Sequence, residues 1–169
     1  MLRTSVILLI FLMICSCKAI VYQSSGLFSR NSSNAKDMLD AVNEARAQGR
    51  MCGNKYYEPA EPLVWNHKLG IASLNHSKDM AENSFLSHKG SDGSTLSERL
   101  VSVNYSWIKS GENIGHGYQS SEDAINSWLK SKIHCENIMN PEFKELGASY
   151  AKSESRRTYW TMVLAAPLE

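Results

Sequence analysis

The chain has 169 residues, with 18 Lys and Arg against 17 Asp and Glu, and its formal net charge is +1. A charge this close to zero gives no sign of a nucleic-acid partner. Hydrophobic residues make up 43% of the sequence, enough for one hydrophobic core, and the only long apolar run lies at the N-terminus.

The first 17 residues have the layout of an export signal. Arg3 supplies a positive charge, and the apolar run 6–14 is too short to span a bilayer comfortably. The run ends in Ile14-Cys15-Ser16-Cys17, which resembles a bacterial lipobox, the site at which a cysteine is acylated and becomes the new N-terminus. We therefore expect a signal peptide over 1–17 and a lipid anchor on Cys17. An ordinary secretory signal with two incidental cysteines is the alternative.

Residues 18–34 are rich in Ser and Asn and are predicted to form a flexible linker. This leaves 35–169 as one folded domain, which contains two cysteines, Cys52 and Cys135. Export would place them in an oxidising compartment, where an isolated pair usually forms a disulfide. We therefore predict a Cys52–Cys135 bond.

Four helices are predicted from capping residues and apolar periodicity. Asn34 is expected to cap the first and Asn66 a second, longer helix. Thr95-Leu96-Ser97-Glu98 matches the capping box of a third. Ser120 or Ser121 is expected to cap the fourth. His76 shares a stripe of the second helix with apolar residues, which favours a hydrogen-bonded core histidine over a ligand.

The C-terminal part has the pattern of strands. Residues 146–150 alternate in polarity, and 159–166 are rich in β-branched and aromatic residues. The polar stretch 152–157 joins them, so the pattern predicts an antiparallel hairpin. Helices followed by a hairpin indicate an α+β domain.

Short motifs occur in a fixed order between about residues 37 and 165: Leu63-Val64-Trp65-Asn66, His76-Ser77-Lys78-Asp79-Met80-Ala81, Phe85-Leu86-Ser87-His88, Ser91-Asp92-Gly93-Ser94, Gly111-Glu112-Asn113-Ile114, Trp128-Leu129-Lys130-Ser131, His134-Cys135-Glu136-Asn137-Ile138-Met139-Asn140-Pro141, Phe143-Lys144-Glu145-Leu146-Gly147 and Tyr159-Trp160-Thr161. Together they resemble the bacterial, SCP-like branch of the CAP superfamily, named after cysteine-rich secretory proteins, antigen 5 and plant pathogenesis-related proteins. The resemblance implies an α-β-α sandwich with a central antiparallel sheet and a cleft on one side.

The cleft of this family usually carries two histidines and two acidic residues. Carried over by position, these are His88, Glu112 and His134. Animal and plant relatives place the second acid where this chain has Ser131, and Glu145 is the nearest substitute by motif. The missing acid at Ser131 counts against catalytic machinery of the animal type.

Two imidazoles and a carboxylate suit several kinds of chemistry. His88, His134 and Glu112 are a ligand set for a weakly bound divalent metal such as zinc, although no cofactor is certain. A metal-free acid/base pair and a purely structural polar network are the alternatives. No Gly-x-Ser-x-Gly elbow is present, and Cys135 is a poor nucleophile candidate because a disulfide explains it better. His116 is an extra imidazole that we expect to face solvent.

Three functions follow from these features. We favour an exported binding module, not an enzyme, that is lipid-anchored in the cell envelope or secreted and binds a lipid, an envelope component or a host or partner protein. A zinc-dependent hydrolase, such as a protease, would use the same cleft. A structural or host-contact protein would carry the cleft as a vestige.

Overall fold

The computed structural model describes residues 25–168, with side chains from 35 onward. The predicted signal peptide, Cys17 and the first part of the predicted linker lie outside the described residues. In the described range the elements are α1 (Ser25–Ala47), β1 (Arg50–Cys52), β2 (Lys55–Tyr57), β3 (Val64–Trp65), α2 (His67–Glu82), α3 (Leu96–Ser102), β4 (Trp107–His116), α4 (Ser121–Lys130), α5 (Lys132–Met139), β5 (Glu145–Lys152) and β6 (Thr158–Pro167).

A four-stranded sheet with the order β3-β5-β6-β4 forms the centre of the domain. The predicted C-terminal hairpin is confirmed, because β5 and β6 pair antiparallel from Glu145↔Ala165 to Lys152↔Thr158. β4 pairs antiparallel with the other side of β6, and only the two-residue edge strand β3 runs parallel to β5. The central antiparallel sheet is therefore confirmed in its three long strands.

Helices cover both faces of this sheet, as the predicted α-β-α sandwich requires. One core cluster joins α2 and α3 to the sheet through Leu69, Ala72, Leu100, Val163 and Ala165. The larger cluster joins α1, α4 and α5 to the opposite face, through residues that include Met38, Val42, Trp128, Ile138, Leu146, Met162 and Leu164. Successive residues of β6 point to opposite faces, so Val163 and Leu164 serve different layers.

The helix α2 lies unusually close to the sheet, and a glycine makes this possible. A Cβ atom added to Gly147 in β5 would lie 2.1 Å from the backbone nitrogen of Gly70 in α2. Ser73 of the same helix donates a hydrogen bond to the Gly147 carbonyl over 2.9 Å. Glycine is therefore required at this position of the strand, since any side chain would push the helix away.

Three predicted helix starts are confirmed, and one is wrong. Asn66 and Ser120 cap α2 and α4, and Thr95 and Glu98 form the predicted capping box of α3. The first helix, in contrast, begins at Ser25 and not after Asn34. Residues 25–34, predicted as linker, are therefore helical. Ser and Asn cost at most about 0.7 kcal/mol each relative to Ala in a helix interior, so a stretch rich in them can still be helical.

The predicted Cys52–Cys135 disulfide is confirmed, with the Cα atoms 5.4 Å apart and both residues fully buried. It ties α5 to β1, which forms a separate two-stranded sheet with β2. Cys135 is therefore not a free thiol. Across the part of the chain that the structure describes, no helix is long and apolar enough to cross a membrane.

Candidate functional site

The candidate site lies on the α2 face of the sheet, next to its β4 edge. Glu112 lies in β4 opposite Val163, whose side chain packs in the α2 layer. Cross-strand partners point to the same face of a sheet, so Glu112 faces α2 and α3. The segment that follows α2 brings His88 to this carboxylate, and α3 brings Arg99.

Both carboxylate oxygens of Glu112 are bound by neighbouring side chains. Oε1 lies 2.7 Å from Nδ1 of His88, and Oε2 lies 2.7 Å from Nη2 of Arg99. The Glu112 side chain is only 3% exposed. Burial raises the pKa of Glu112, but the His88 hydrogen bond and the Arg99 charge together bring it below its ordinary value. Glu112 is therefore a buried carboxylate at neutral pH.

This ionisation state determines how the His88 ring is protonated. A carboxylate only accepts hydrogen bonds, so Nδ1 of His88 must be the donor. In the neutral ring, Nε2 is then left as an unprotonated acceptor. The His88 side chain is 60% exposed. The site therefore holds an imidazole in one tautomer and leaves that ring accessible to a ligand.

Arg99 is the residue of this group that sequence reasoning missed. Its Nη1 donates to the Ser94 carbonyl and its Nη2 to the His88 carbonyl, each over 3.1 Å. The signal was the spacing of 96, 99, 100 and 103, which places an arginine on the apolar stripe of α3. A buried arginine requires hydrogen-bond acceptors, and here one of them is the charged carboxylate of Glu112.

His76 lies beneath the same carboxylate. Its Nε2 donates to the Ser87 carbonyl over 2.9 Å and is 4.0 Å from Oε1 of Glu112. Burial lowers the pKa of His76, and the charge of Arg99 lowers it further against the attraction of Glu112. The predicted hydrogen-bonded core histidine is confirmed, and this neutral ring also forms the floor under Glu112.

His134 approaches from α5, at the β4 edge. Its backbone carbonyl accepts a hydrogen bond of 3.1 Å from Nδ2 of Asn113, the neighbour of Glu112. Burial lowers the pKa of His134, and the nearby His88 lowers it further. The His134 ring itself lies 6.4 Å from the ring of Trp128, measured between centroids.

Glu145 binds elsewhere on the same face of the sheet. It lies opposite Ala165, on the far side of β6 from Glu112. Its Oε2 accepts hydrogen bonds from Tyr105 over 2.6 Å and from Asn66 over 3.0 Å. Within residues 35–168 it makes no hydrogen bond or ion pair with the two cleft histidines. The structure therefore does not bring Glu145 to this group.

The family follows from a comparison with known proteins. A family model described as the cysteine-rich secretory protein family, CAP, matches residues 39–164. The chain belongs to this family. Among curated proteins, this CAP domain is similar to the uncharacterized protein YkwD of Bacillus subtilis (strain 168), with 29% identity over 101 residues, 60% of the chain and 38% of the relative. The chain spans 31% and 38% of the length of two curated relatives that it matches.

Solved structures show the same fold for this CAP domain. An extracellular protein from Bacillus anthracis str. Ames that contains an SCP domain matches with a TM-score of 0.67 and 24% identity, over 80% of this chain and 41% of the other. An outer surface protein from Borrelia burgdorferi also matches with a TM-score of 0.67, at 17% identity, over 79% of this chain and 92% of the other. The α-β-α sandwich is therefore the fold of known CAP domains.

The CAP domain does not assemble the predicted three-ligand metal set. In the described part of the chain, no three His, Cys, Asp or Glu side chains converge closely enough to hold a metal ion. The two oxygens of Glu112 instead accept hydrogen bonds from His88 and Arg99. His116, as predicted, is exposed. What the site offers to a ligand is the accessible imidazole of His88, with His134 nearby.

Proposed function

We propose that this CAP protein is an exported, lipid-anchored binding module of the cell envelope, and that its cleft binds a polar ligand through His88. The ligand presents a hydroxyl or N–H group to the acceptor nitrogen Nε2. Lipids with hydroxylated headgroups, envelope components and partner proteins all carry such donors. The tautomer of His88 supports this class of ligand.

A binding role is favoured over a catalytic one because both oxygens of Glu112 accept hydrogen bonds from neighbouring side chains. A general base needs a carboxylate that is free to take a proton, and a metal ligand needs a free oxygen. Glu112 fits neither role well, because its side chain is only 3% exposed and its two oxygens already accept hydrogen bonds from His88 and Arg99. Its remaining role is to orient His88. Such a fixed imidazole gives a ligand a hydrogen-bond acceptor with little loss of side-chain entropy.

The lack of a nucleophile beside His88 supports the same proposal. Covalent catalysis by a Ser, Thr or Cys paired with a histidine requires a hydroxyl or thiol within hydrogen-bond reach of the ring. Among the residues that the structure describes, no Ser, Thr or Cys side chain makes a hydrogen bond with the ring of His88 or His134. The one thiol candidate, Cys135, is consumed by the disulfide.

Export is supported by the N-terminal pattern and by the disulfide. Buried disulfides form and persist in oxidising compartments outside the cytosol. The sequence before the domain has the charged start, the short apolar run and the terminal Cys17 of a lipoprotein signal. Two structural neighbours are an extracellular protein and an outer surface protein.

A binding screen tests the role of the cleft. The protein is passed over lipid vesicles, envelope polysaccharide and envelope protein fractions, and its His88→Gln variant is compared on every surface that binds. Loss of one hydrogen bond to a charged or well-oriented group costs about 1.5 kcal/mol, so His88→Gln should weaken binding about tenfold. His116→Gln, another exposed imidazole, is the matched control. Equal affinity for wild type and His88→Gln would contradict a cleft-mediated role.

Metabolic labelling with a palmitate analogue tests the anchor. Wild type should incorporate the label and partition into membranes, and Cys17→Ala should do neither. Cys15→Ala is the matched control and should keep the label. A soluble, unlabelled wild-type product would point to the ordinary secretory signal, and label retained after Cys17→Ala would move the anchor.

One observation favours the zinc-dependent hydrolase as a second candidate. A carboxylate that accepts Nδ1–H of a histidine is the arrangement that orients metal-bound imidazoles in zinc proteins. His88 and His134 would then hold the metal, which would supply an activated water. The decisive result would be hydrolysis of a defined substrate that needs zinc and is lost in both His88→Ala and His134→Ala. If the protein neither hydrolyses a substrate nor binds a ligand, the remaining alternative is a structural or host-contact protein with a vestigial cleft.

A further inference from the structure

We propose that Arg99 sets the ligand specificity of this cleft, by neutralising Glu112 from inside the protein so that divalent metal ions bind only weakly. The inference rests on the cleft being a binding site. Its test uses zinc alone and does not depend on the ligand that the cleft binds in the cell. In this proposal the buried Arg99 supplies the positive charge that would otherwise come from a metal ion bound to Glu112.

The first step is that Arg99 occupies the carboxylate directly. Its Nη2 lies 2.7 Å from Oε2 of Glu112, and the two side chains are 9% and 3% exposed. Arginine stays charged at every pH at which a protein is folded. In a buried site this charge interacts strongly with the carboxylate, since little water screens it. A cation that approached Glu112 would have to displace Arg99 or share the carboxylate with it.

The second step is that Arg99 cannot easily move aside. Carbonyl groups of Ser94 and His88 hold its two terminal nitrogens, each at 3.1 Å. The helix that carries it starts with the complete capping box of Thr95 and Glu98. The backbone of Arg99 is therefore fixed by the capped helix, and its guanidinium group is fixed by the two carbonyls. Displacing it would break three hydrogen bonds and leave a buried cation without a partner.

The third step is that the same guanidinium also positions His88. One Nη2 atom binds the backbone carbonyl of His88 and the carboxylate that holds the His88 ring. Arg99 therefore holds the backbone of His88 directly and its ring through Glu112. It also neutralises the negative charge of that carboxylate. The buried cluster of Arg99 and Glu112 carries no net charge. A neutral floor beneath His88 offers no attraction to a dication, but it leaves the Nε2 acceptor available for a hydrogen-bond donor.

Zinc calorimetry on the full chain tests this proposal with three substitutions. Wild type should bind zinc weakly, through imidazole alone. Arg99→Gln removes the charge and frees one oxygen of Glu112, so zinc should bind at least about tenfold more tightly, the effect of one added charged ligand. Arg99→Lys keeps the charge and is the matched control, so it should bind as weakly as wild type. In Arg99→Gln/Glu112→Gln the gain should disappear.

Two results would overturn the proposal. One is an Arg99→Gln protein that folds, as judged by circular dichroism and an intact disulfide, yet binds zinc no better than wild type. The other is an equal gain in Arg99→Lys. If Arg99→Gln does not fold, carbon-13 NMR of wild type decides: zinc should shift the signals of the His88 ring far more than the Glu112 carboxyl signal, because Glu112 is not a ligand there. A Glu112 carboxyl signal that shifts with zinc as strongly as the His88 ring would show that Glu112 binds the metal despite Arg99. None of these outcomes depends on the ligand screen.

Discussion

Arg99 and Glu112 form a buried ion pair, with Nη2 of Arg99 2.7 Å from Oε2 of Glu112. The pair joins α3 to β4, and the other oxygen of Glu112 accepts a hydrogen bond from the His88 ring. A buried pair of this kind adds little net stability compared with apolar residues, but it is costly to break. Its position beneath an exposed imidazole therefore indicates that it serves the site.

Removal of one member of this pair should destabilise the protein strongly. We expect Arg99→Met to lower the free energy of unfolding by about 3–5 kcal/mol, because it leaves the Glu112 carboxylate buried without its cation. The double variant Arg99→Met/Glu112→Gln should recover part of this loss. Urea unfolding of the single and double variants measures both effects. A loss below about 1 kcal/mol in Arg99→Met would mean that the pair is solvated.

The lowered pKa values predict how stability depends on pH. The pKa of His76 lies below its ordinary 6.5 in the folded protein because of burial, so the unfolded chain takes up a proton first as the pH falls. Stability should therefore decrease below about pH 6.5. It should decrease again below about pH 4.5, as the pH falls towards the lowered pKa of Glu112.

Urea unfolding between pH 8 and pH 4 measures this profile, with His76→Gln as the diagnostic variant. The decrease between about pH 6.5 and 5 should be smaller in His76→Gln than in wild type. His116→Gln is the control for loss of an exposed imidazole. Stability that rises as the pH falls through this range would contradict a neutral, buried His76.

The Cys52–Cys135 disulfide should contribute substantially to stability. It closes a loop with a sequence separation of 83 and is the covalent link between the β1–β2 hairpin and α5. Reduction should lower the free energy of unfolding by about 2–5 kcal/mol. In a Cys52→Ala/Cys135→Ala protein, the reductant should have no further effect. Alkylation of both thiols in native, unreduced protein would contradict the bond.

Much of this fold could be predicted because its signals are local. Asn66 and Ser120 cap helices through their own side chains, and the Thr95–Glu98 capping box needs only residues three apart. Alternation in 146–150 likewise reflects one sheet whose two faces pack in different layers. The cleft residues His88, Glu112 and His134 came from the family resemblance, and the structure brings His88 and Glu112 into direct contact.

The missed elements depend on distant partners. The strand β4 contains Gly111, Asn113 and Gly115, which are residue types with low strand propensity, and it forms because β6 pairs along its length. Gly115 is required there because Tyr118 packs against it, and an added Cβ would lie 2.4 Å from that ring. The position of the Glu145 side chain could not be predicted from the sequence either, because its partners Tyr105 and Asn66 come from other parts of the chain.

Tyr105→Phe tests whether Glu145 acts apart from the cleft. Burial and the neighbouring Glu145 carboxylate raise the pKa of Tyr105, so its hydroxyl donates to that carboxylate throughout the physiological range. The variant should lose about 1–2 kcal/mol of unfolding free energy. Zinc and ligand affinities of the cleft should stay at wild-type levels. A tenfold change in either affinity would place Glu145 in functional contact with the cleft.

Nitrogen-15 NMR of the histidine side chains tests whether Glu112 holds His88 in one tautomer with its acceptor nitrogen available to a ligand. At pH 8 we predict that His88 carries its proton on Nδ1, with Nε2 unprotonated, and that Glu112→Ala abolishes this preference. The exposed His116 provides the reference within the same spectrum. A His88 ring that is protonated on Nε2, or that resembles a free histidine in both proteins, would contradict this role of Glu112.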